Sequence, residues 1–137
     1  MAKTPSTTLC PCGSRHPYAD CCGLFIEHPE CGAPTAEALM RSRYTAYTLG
    51  CETYLLATWQ EATRPAGLDL ADDAGKVKWL GLDIRRTEQG GVNDQTGIVE
   101  FVAHYKVGGR AHRLHETSRF QRDDGRWFYL DGALHEY

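Results

Sequence analysis

No apolar stretch in this chain approaches the roughly 20 residues a membrane-spanning helix needs. The opening residues, Met1-Ala2-Lys3-Thr4-Pro5, lack the apolar core of a secretory signal, so a cytoplasmic location is expected. Positive charge is not in excess. With 15 Lys and Arg against 18 Asp and Glu the formal net charge is -3, which speaks against general affinity for a polyanion and makes nucleic acid an unexpected partner. Also missing are a Gly-rich phosphate loop, a nucleophile elbow and a paired-carboxylate signature. There is no Cys-x-x-Cys redox spacing, no internal repeat and no low-complexity run. What remains is a chain of 137 residues, 42% hydrophobic, the size of one ordinary domain and able to bury a core without disulfides.

Cysteine is the residue the chain has in quantity. In a reducing compartment six cysteines point to metal or redox chemistry rather than to disulfides. Four of them crowd into thirteen residues, as Cys10-Pro11-Cys12-Gly13-Ser14 and then Cys21-Cys22. A disulfide between adjacent Cys21 and Cys22 would close a strained ring, and thiolates this crowded need a cation to hold them together. Four sulfur ligands suit a tetrahedral ion, so Cys10, Cys12, Cys21 and Cys22 are the expected ligands of zinc, with iron as the alternative. Adjacent cysteines must send their side chains in opposite directions, which leaves His28 or Cys31 as a substitute for Cys22. Cys51 falls in helical sequence and is expected in the core. A segment this short has no core of its own, so metal coordination should fold it independently of the rest. Chelation is therefore expected to unfold residues 10–22 and spare the remainder. The expected organisation is a tail, knuckle and connector over 1–32 and a main domain over 33–137.

Residues 1–9 read as a small, polar, frayed start, and 23–34 as a connector, with Pro29, Gly32 and Pro34. Thr35 is a plausible N-cap with Glu37 in the first turn, and Gly50 a natural stop, so the spacing predicts a helix between them. A shorter helix is predicted over 51–59 and a loop with at most one helical turn over 64–75. The rest reads as strands over 77–86, 98–107, 110–122 and 126–131. The apolar phase slips near Leu80, which suggests a bulge. Gly108-Gly109 is a two-residue hairpin signal, and Asp123-Asp124-Gly125 marks another turn. Two helices followed by an antiparallel meander make an α+β domain, with the helices covering one face of a four-stranded sheet.

The cysteine segment, with eight residues between Cys12 and Cys21 and Gly23 after Cys22, resembles the SEC-C motif, which is found at the C-terminus of the SecA translocation ATPase and in small bacterial proteins. The rest resembles the YchJ-type family of uncharacterised bacterial proteins. The resemblance is carried by Ala33 to Tyr44, Tyr54-Leu55, Thr58-Trp59, Trp79 to Leu82, Glu116 to Phe120 and Trp127 to Gly132. It implies a fold like nuclear transport factor two, a cystatin-like cone in which a curved sheet wraps over helices. It also implies partners in translation or protein export. SEC-C loops are typically lysine-rich, whereas this one reads Arg15-His16-Pro17-Tyr18-Ala19-Asp20, which weakens any inference of ribosome or nucleic-acid binding.

Cone folds can house enzymes such as isomerases and dehydratases, but fold alone confers no activity. On the third strand the period of two puts His112, Glu116 and Ser118 on the face of Leu114 and Phe120, toward the helices. A buried Glu116 needs a cation. Arg41 and Arg43 lie about 200° apart around the first helix, and Arg43 shares a stripe with Leu39 and Tyr47. Either Glu116 and Arg43 form an interior ion pair, the preferred expectation, or Arg43, Tyr47, Trp59, Tyr105, His112 and Glu116 line a pocket for a small polar ligand. The expected function is a zinc-binding adaptor that docks a protein through its knuckle. The alternative is a small enzyme or small-molecule binder that uses the cone.

Overall fold

The computed structural model describes residues 9–68 and 77–135. In chain order they form α1 (Gly23–Ile26), α2 (Ala36–Leu49), α3 (Glu52–Ala57), β1 (Val77–Gln89), β2 (Thr96–Val107), β3 (Arg110–Asp123) and β4 (Arg126–His135). The expected loop over 64–75 is irregular through residue 68, and its remainder lies outside the described residues, as do residues 1–8 of the expected frayed start.

The signals read for the first long helix act as expected. Thr35 is extended and its Oγ1 accepts the Ala38 N–H at 3.0 Å, while Gly50 closes the helix in the left-handed region at φ 73°. Residues Ser42 to Ala46 of α2 are buried in an unbroken run, because this helix is covered on several sides: by the sheet, by α3 and by the cysteine segment. Its N-terminus docks on bare backbone, with the Ala36 N–H donating to the Gly90 carbonyl at 2.9 Å. A Cβ on Gly97 would come 3.0 Å from the Ala36 Cβ, so two glycines at the β1–β2 turn let the helix approach the sheet.

The four strands form one antiparallel meander in the order β1-β2-β3-β4. The bulge expected near Leu80 is present as a register shift between Trp79 and Gly81; further shifts occur between Ile84 and Arg86 and between Arg119 and Phe120. Such bulges bend their strands and increase twist, which curls the sheet around α2. Gly108 and Gly109 both have positive φ, at 58° and 82°, as the tight β2–β3 hairpin demands. The segment after α3 pairs with the β4 edge: the Tyr129 N–H donates to Thr58 at 2.8 Å and the Gln60 N–H to Tyr129 at 2.7 Å. That pairing brings Trp59 against Tyr129 in a parallel bridge.

Two sequence expectations need correction. Residues 23–34 are more than a connector, since they hold α1 and a 3₁₀ turn at Pro29–Cys31, and Phe25 and Ile26 pack on the core. The cysteine segment is not separate in its packing. Cys10, Cys12 and Cys22 belong to the same buried cluster as Leu39, Met40, Tyr44, Val99, Phe101, Phe120 and Trp127. The segment does lack an apolar core of its own, and it makes up the lack by sharing the core of the domain.

Candidate functional site

Two constellations stand out. The first is the cysteine centre. A β-bridge between Leu9 and Pro17 and a 3₁₀ turn at Tyr18–Asp20 fold the chain back on itself. The sulfur atoms of Cys10, Cys12, Cys21 and Cys22 then lie within 4.8 Å of one another. Zinc–sulfur bonds of about 2.3 Å put tetrahedral sulfurs about 3.8 Å apart, and the Cys12 and Cys21 sulfurs are 3.6 Å apart. The donor set therefore fits a thiolate-bound ion. Neighbouring groups support it. Ser14 Oγ lies 3.1 Å from the Cys21 sulfur and Thr45 Oγ1 3.6 Å from that of Cys10, while Arg41 Nη1 donates to the Cys12 carbonyl at 2.8 Å. Hydrogen bonds from Cys10 and then Cys22 hold the Cys12 thiol far below its ordinary range. Those that Cys22 gives to Cys10 and Cys12, with burial added, push Cys22 up. Four thiolates packed this closely repel one another, so ionising them together calls for a cation. His28 and Cys31 are both exposed, His28 faces Glu30 at 3.8 Å, and neither belongs to the four-sulfur group. Cys51 is half-buried at the N-cap of α3.

The second constellation is a cavity of about 220 Å³ between α2 and the sheet. Met40, Tyr44, Trp79, Phe101, Ala103 and Leu114 supply apolar wall, and Arg43, Tyr47, Trp59, Glu116, Ser118 and Tyr129 supply polar groups. Arg43 is 3% exposed. Its Nη1 donates to the Leu55 carbonyl at 2.8 Å and to Thr58 Oγ1 at 2.7 Å. Its guanidinium lies 5.0 Å from the Trp59 ring centre and 4.6 Å from that of Tyr129. Burial pulls its pKa down to about 10. Glu116 Oε2 accepts from Ser118 Oγ at 2.6 Å and from the Tyr129 hydroxyl at 3.1 Å. Gly132 makes room for that carboxylate, since a Cβ there would overlap it. The Tyr129 hydroxyl is in turn raised above its ordinary range by burial and by the Glu116 charge.

Four of the six expected pocket residues, Arg43, Tyr47, Trp59 and Glu116, line this cavity. Tyr105 and His112 do not. They are cross-strand partners toward the tip of the β2–β3 hairpin, stacked on each other at 5.3 Å, and His112 is exposed. The face was read correctly, but the hairpin runs on past the residues that line the cavity. The expected ion pair is also absent: among the described residues Arg43 and Glu116 make no salt bridge to each other. The guanidinium turns instead to the Leu55 carbonyl in the last turn of α3 and to Thr58 Oγ1, and Gly132 leaves room for the carboxylate over β4. Arg41 points to the other side of α2, where it bonds Glu37 and Cys12.

Sequence reading missed Tyr129 as the link between the two charges. Tyr129 pairs with Phe120, four residues along β3 from Glu116, so strand register alone does not bring the two together. It also missed a cross-strand group on the outer face of the sheet. There His115 Nε2 lies 2.7 Å from Glu100 Oε2, the His115 and His135 rings stack at 4.0 Å, and Arg86 Nε donates to Glu100 Oε1 at 3.1 Å. Among the described residues no helix is long and apolar enough to cross a membrane.

Comparison with known proteins agrees with this architecture. A family model described as "YchJ, middle NTF2-like domain" matches residues 35–132, and the SEC-C motif matches residues 7–24. A UPF0225 protein of Chromobacterium violaceum is 56% identical over 133 residues, 97% of this chain and 98% of that protein. One of Bordetella pertussis is 48% identical over 141 residues, 98% of this chain and 99% of its own. Among solved structures, a SEC-C motif containing protein from Rhodopseudomonas palustris superimposes with a TM-score of 0.81 at 32% identity, covering 94% of this chain and 100% of its own. Another from Psychrobacter arcticus gives 0.76 at 26%, covering 97% and 86%. The chain belongs to the YchJ-type UPF0225 family, in which a SEC-C motif is joined to an NTF2-like domain.

Proposed function

We propose that this protein is a cytoplasmic small-molecule-binding module whose zinc ion is structural and whose binding site is the cone cavity. The supporting observation is that Arg43 and Glu116 face one cavity without pairing to each other. A buried guanidinium and a half-buried carboxylate fixed apart by separate partners are costly as a stability device, and they suit the walls of a site with an apolar lining and a few placed polar groups. The four thiolates would hold zinc, the ion that best suits a closed four-sulfur site, with iron as the alternative that elemental analysis separates. The cysteine segment meets α2 through Arg41 and Thr45, so an ion held by its thiolates would brace the helix that carries Arg43.

Trp59 and Trp79 both line the cavity, so intrinsic fluorescence can report occupancy across a library of small metabolites. Compounds that quench the native protein should fail against Leu114→Trp, which fills the cavity. Hits that persist in the filled variant, or no hits at all, would contradict the proposal. Turnover of a hit by isomerase- or dehydratase-type chemistry would add proton transfer by Glu116, and Glu116→Gln should then bind without turnover.

The adaptor reading keeps one observation in its favour. Arg15, His16, Ala19 and Asp20 are exposed on the SEC-C loop while three of the cysteines beneath it are buried. A protein partner, in translation or export, would dock on that loop. Loop substitutions such as Arg15→Glu with His16→Glu test this more cleanly than cysteine removal, which would damage the core. Capture of a defined partner that survives these changes would rule the loop out.

A further inference from the structure

We infer that the cavity takes a small organic acid, its carboxylate meeting Arg43 and its apolar body meeting Trp79, Tyr44 and Phe101. The inference rests on the cavity being a binding site, as proposed above. Arg43 lines the cavity, is 3% exposed, and has only neutral partners: a carbonyl, a hydroxyl and two aromatic faces. Both of its hydrogen bonds leave from Nη1, so among the described residues Nε and Nη2 donate to nothing. A planar guanidinium with two donors unspent matches the two oxygens of a carboxylate. Trp59 lines the same cavity, and its indole N–H is buried with no acceptor among the described residues. Leaving a buried donor such as the indole N–H unpaired is costly, and a carboxylate on a ligand would take up the unspent donors of Arg43.

Glu116 does not fill this role. It is the one carboxylate among the residues lining the cavity. Both of its hydrogen bonds, from Ser118 and Tyr129, tie the same oxygen back over Gly132. The rest of the wall is aromatic and aliphatic, which favours an apolar body over a sugar or a nucleotide. At about 220 Å³ the space falls below the range of about 300–1,000 Å³ that holds drug-sized molecules, so the acid is small.

Three probes of one shape separate charge from fit: phenylacetate, phenylacetamide and 2-phenylethylamine, each titrated into metal-loaded protein and followed by amide NMR. Phenylacetate should shift the signals of Arg43, Trp59 and Tyr129. The amide should bind at least tenfold more weakly and the amine not at all. Arg43→Met keeps the length of the side chain and removes the buried charge. It should melt at an unchanged or higher temperature and lose phenylacetate at least tenfold. Should that variant not fold, Trp59→Phe, which removes the N–H and keeps a ring, should weaken phenylacetate and leave the amine undetected. An amide or amine that binds as tightly as the acid, or an Arg43→Met protein that retains the acid, would overturn the inference while leaving the cavity a binding site. Binding by none of the three would overturn both.

Discussion

Gly132 and Gly90 are two positions where a side chain would collide, and they differ in what has to move. At Gly132 the obstacle is the Glu116 carboxylate, the far end of a flexible side chain. Gly132→Ala should displace that carboxylate from Ser118 and Tyr129 at a cost of about 1 kcal/mol, the net worth of a hydrogen bond or two. At Gly90 the backbone sits at φ 79° and a Cβ would lie 2.8 Å from the Ala36 Cβ and 3.4 Å from the Gly97 Cα. Nothing there can swing away, so Gly90→Ala carries left-handed strain of about 1–3 kcal/mol and overpacking of similar size. Denaturant melts of the two variants should rank them in that order, and equal losses would mean that Glu116 is held more rigidly than its hydrogen bonds imply. Individual side chains were only half legible in the sequence. The strand period put Glu116 on the covered face, and the helix stripe put Arg43 rather than Arg41 inside. Their partners were not legible, because these depend on Gly132 giving the carboxylate space and on α3 ending where its Leu55 carbonyl meets the guanidinium.

Among the elements, α2 is the hub. One side carries Arg43 into the cavity, another carries Arg41 and Thr45 to the cysteine centre, and Ser42 meets the Tyr54 hydroxyl of α3 at 2.7 Å. Thr35→Ala, which removes the N-cap, should cost about 1 kcal/mol. Arg41→Met should leave the helix intact but release the Cys12 carbonyl. Its expected signature is faster metal loss to a chelator with little change in melting temperature, since Arg41 is only half-buried. Unchanged metal loss would show that the Arg41 hydrogen bond does not hold the knuckle. The caps and turns of these elements were readable because Thr35, Gly50 and Gly108-Gly109 act locally. The far ends of β1 and β4 were not. Past Arg86 and past Asp131 the residues are largely exposed, so no alternation marks them, and pairing across the sheet alone carries the strands to Gln89 and His135.

For the whole molecule, the close packing of knuckle and cone alters what metal removal should do. Thirteen residues cannot bury a core, which on sequence alone predicts an independent knuckle. The packing shows three of its cysteines inside the core of the domain, against Leu39, Met40 and Tyr44. The measurement that tests this most directly is amide hydrogen exchange on protein shown by elemental analysis to carry about one ion per chain, before and after chelation. Loss of the ion should raise exchange throughout Leu39 to Ala46 of α2 as well as in residues 10–22, and it should lower the melting temperature of the whole domain. Protein that purifies without metal and keeps the knuckle ordered, or exchange that rises in residues 10–22 alone, would contradict a metal centre built into the core.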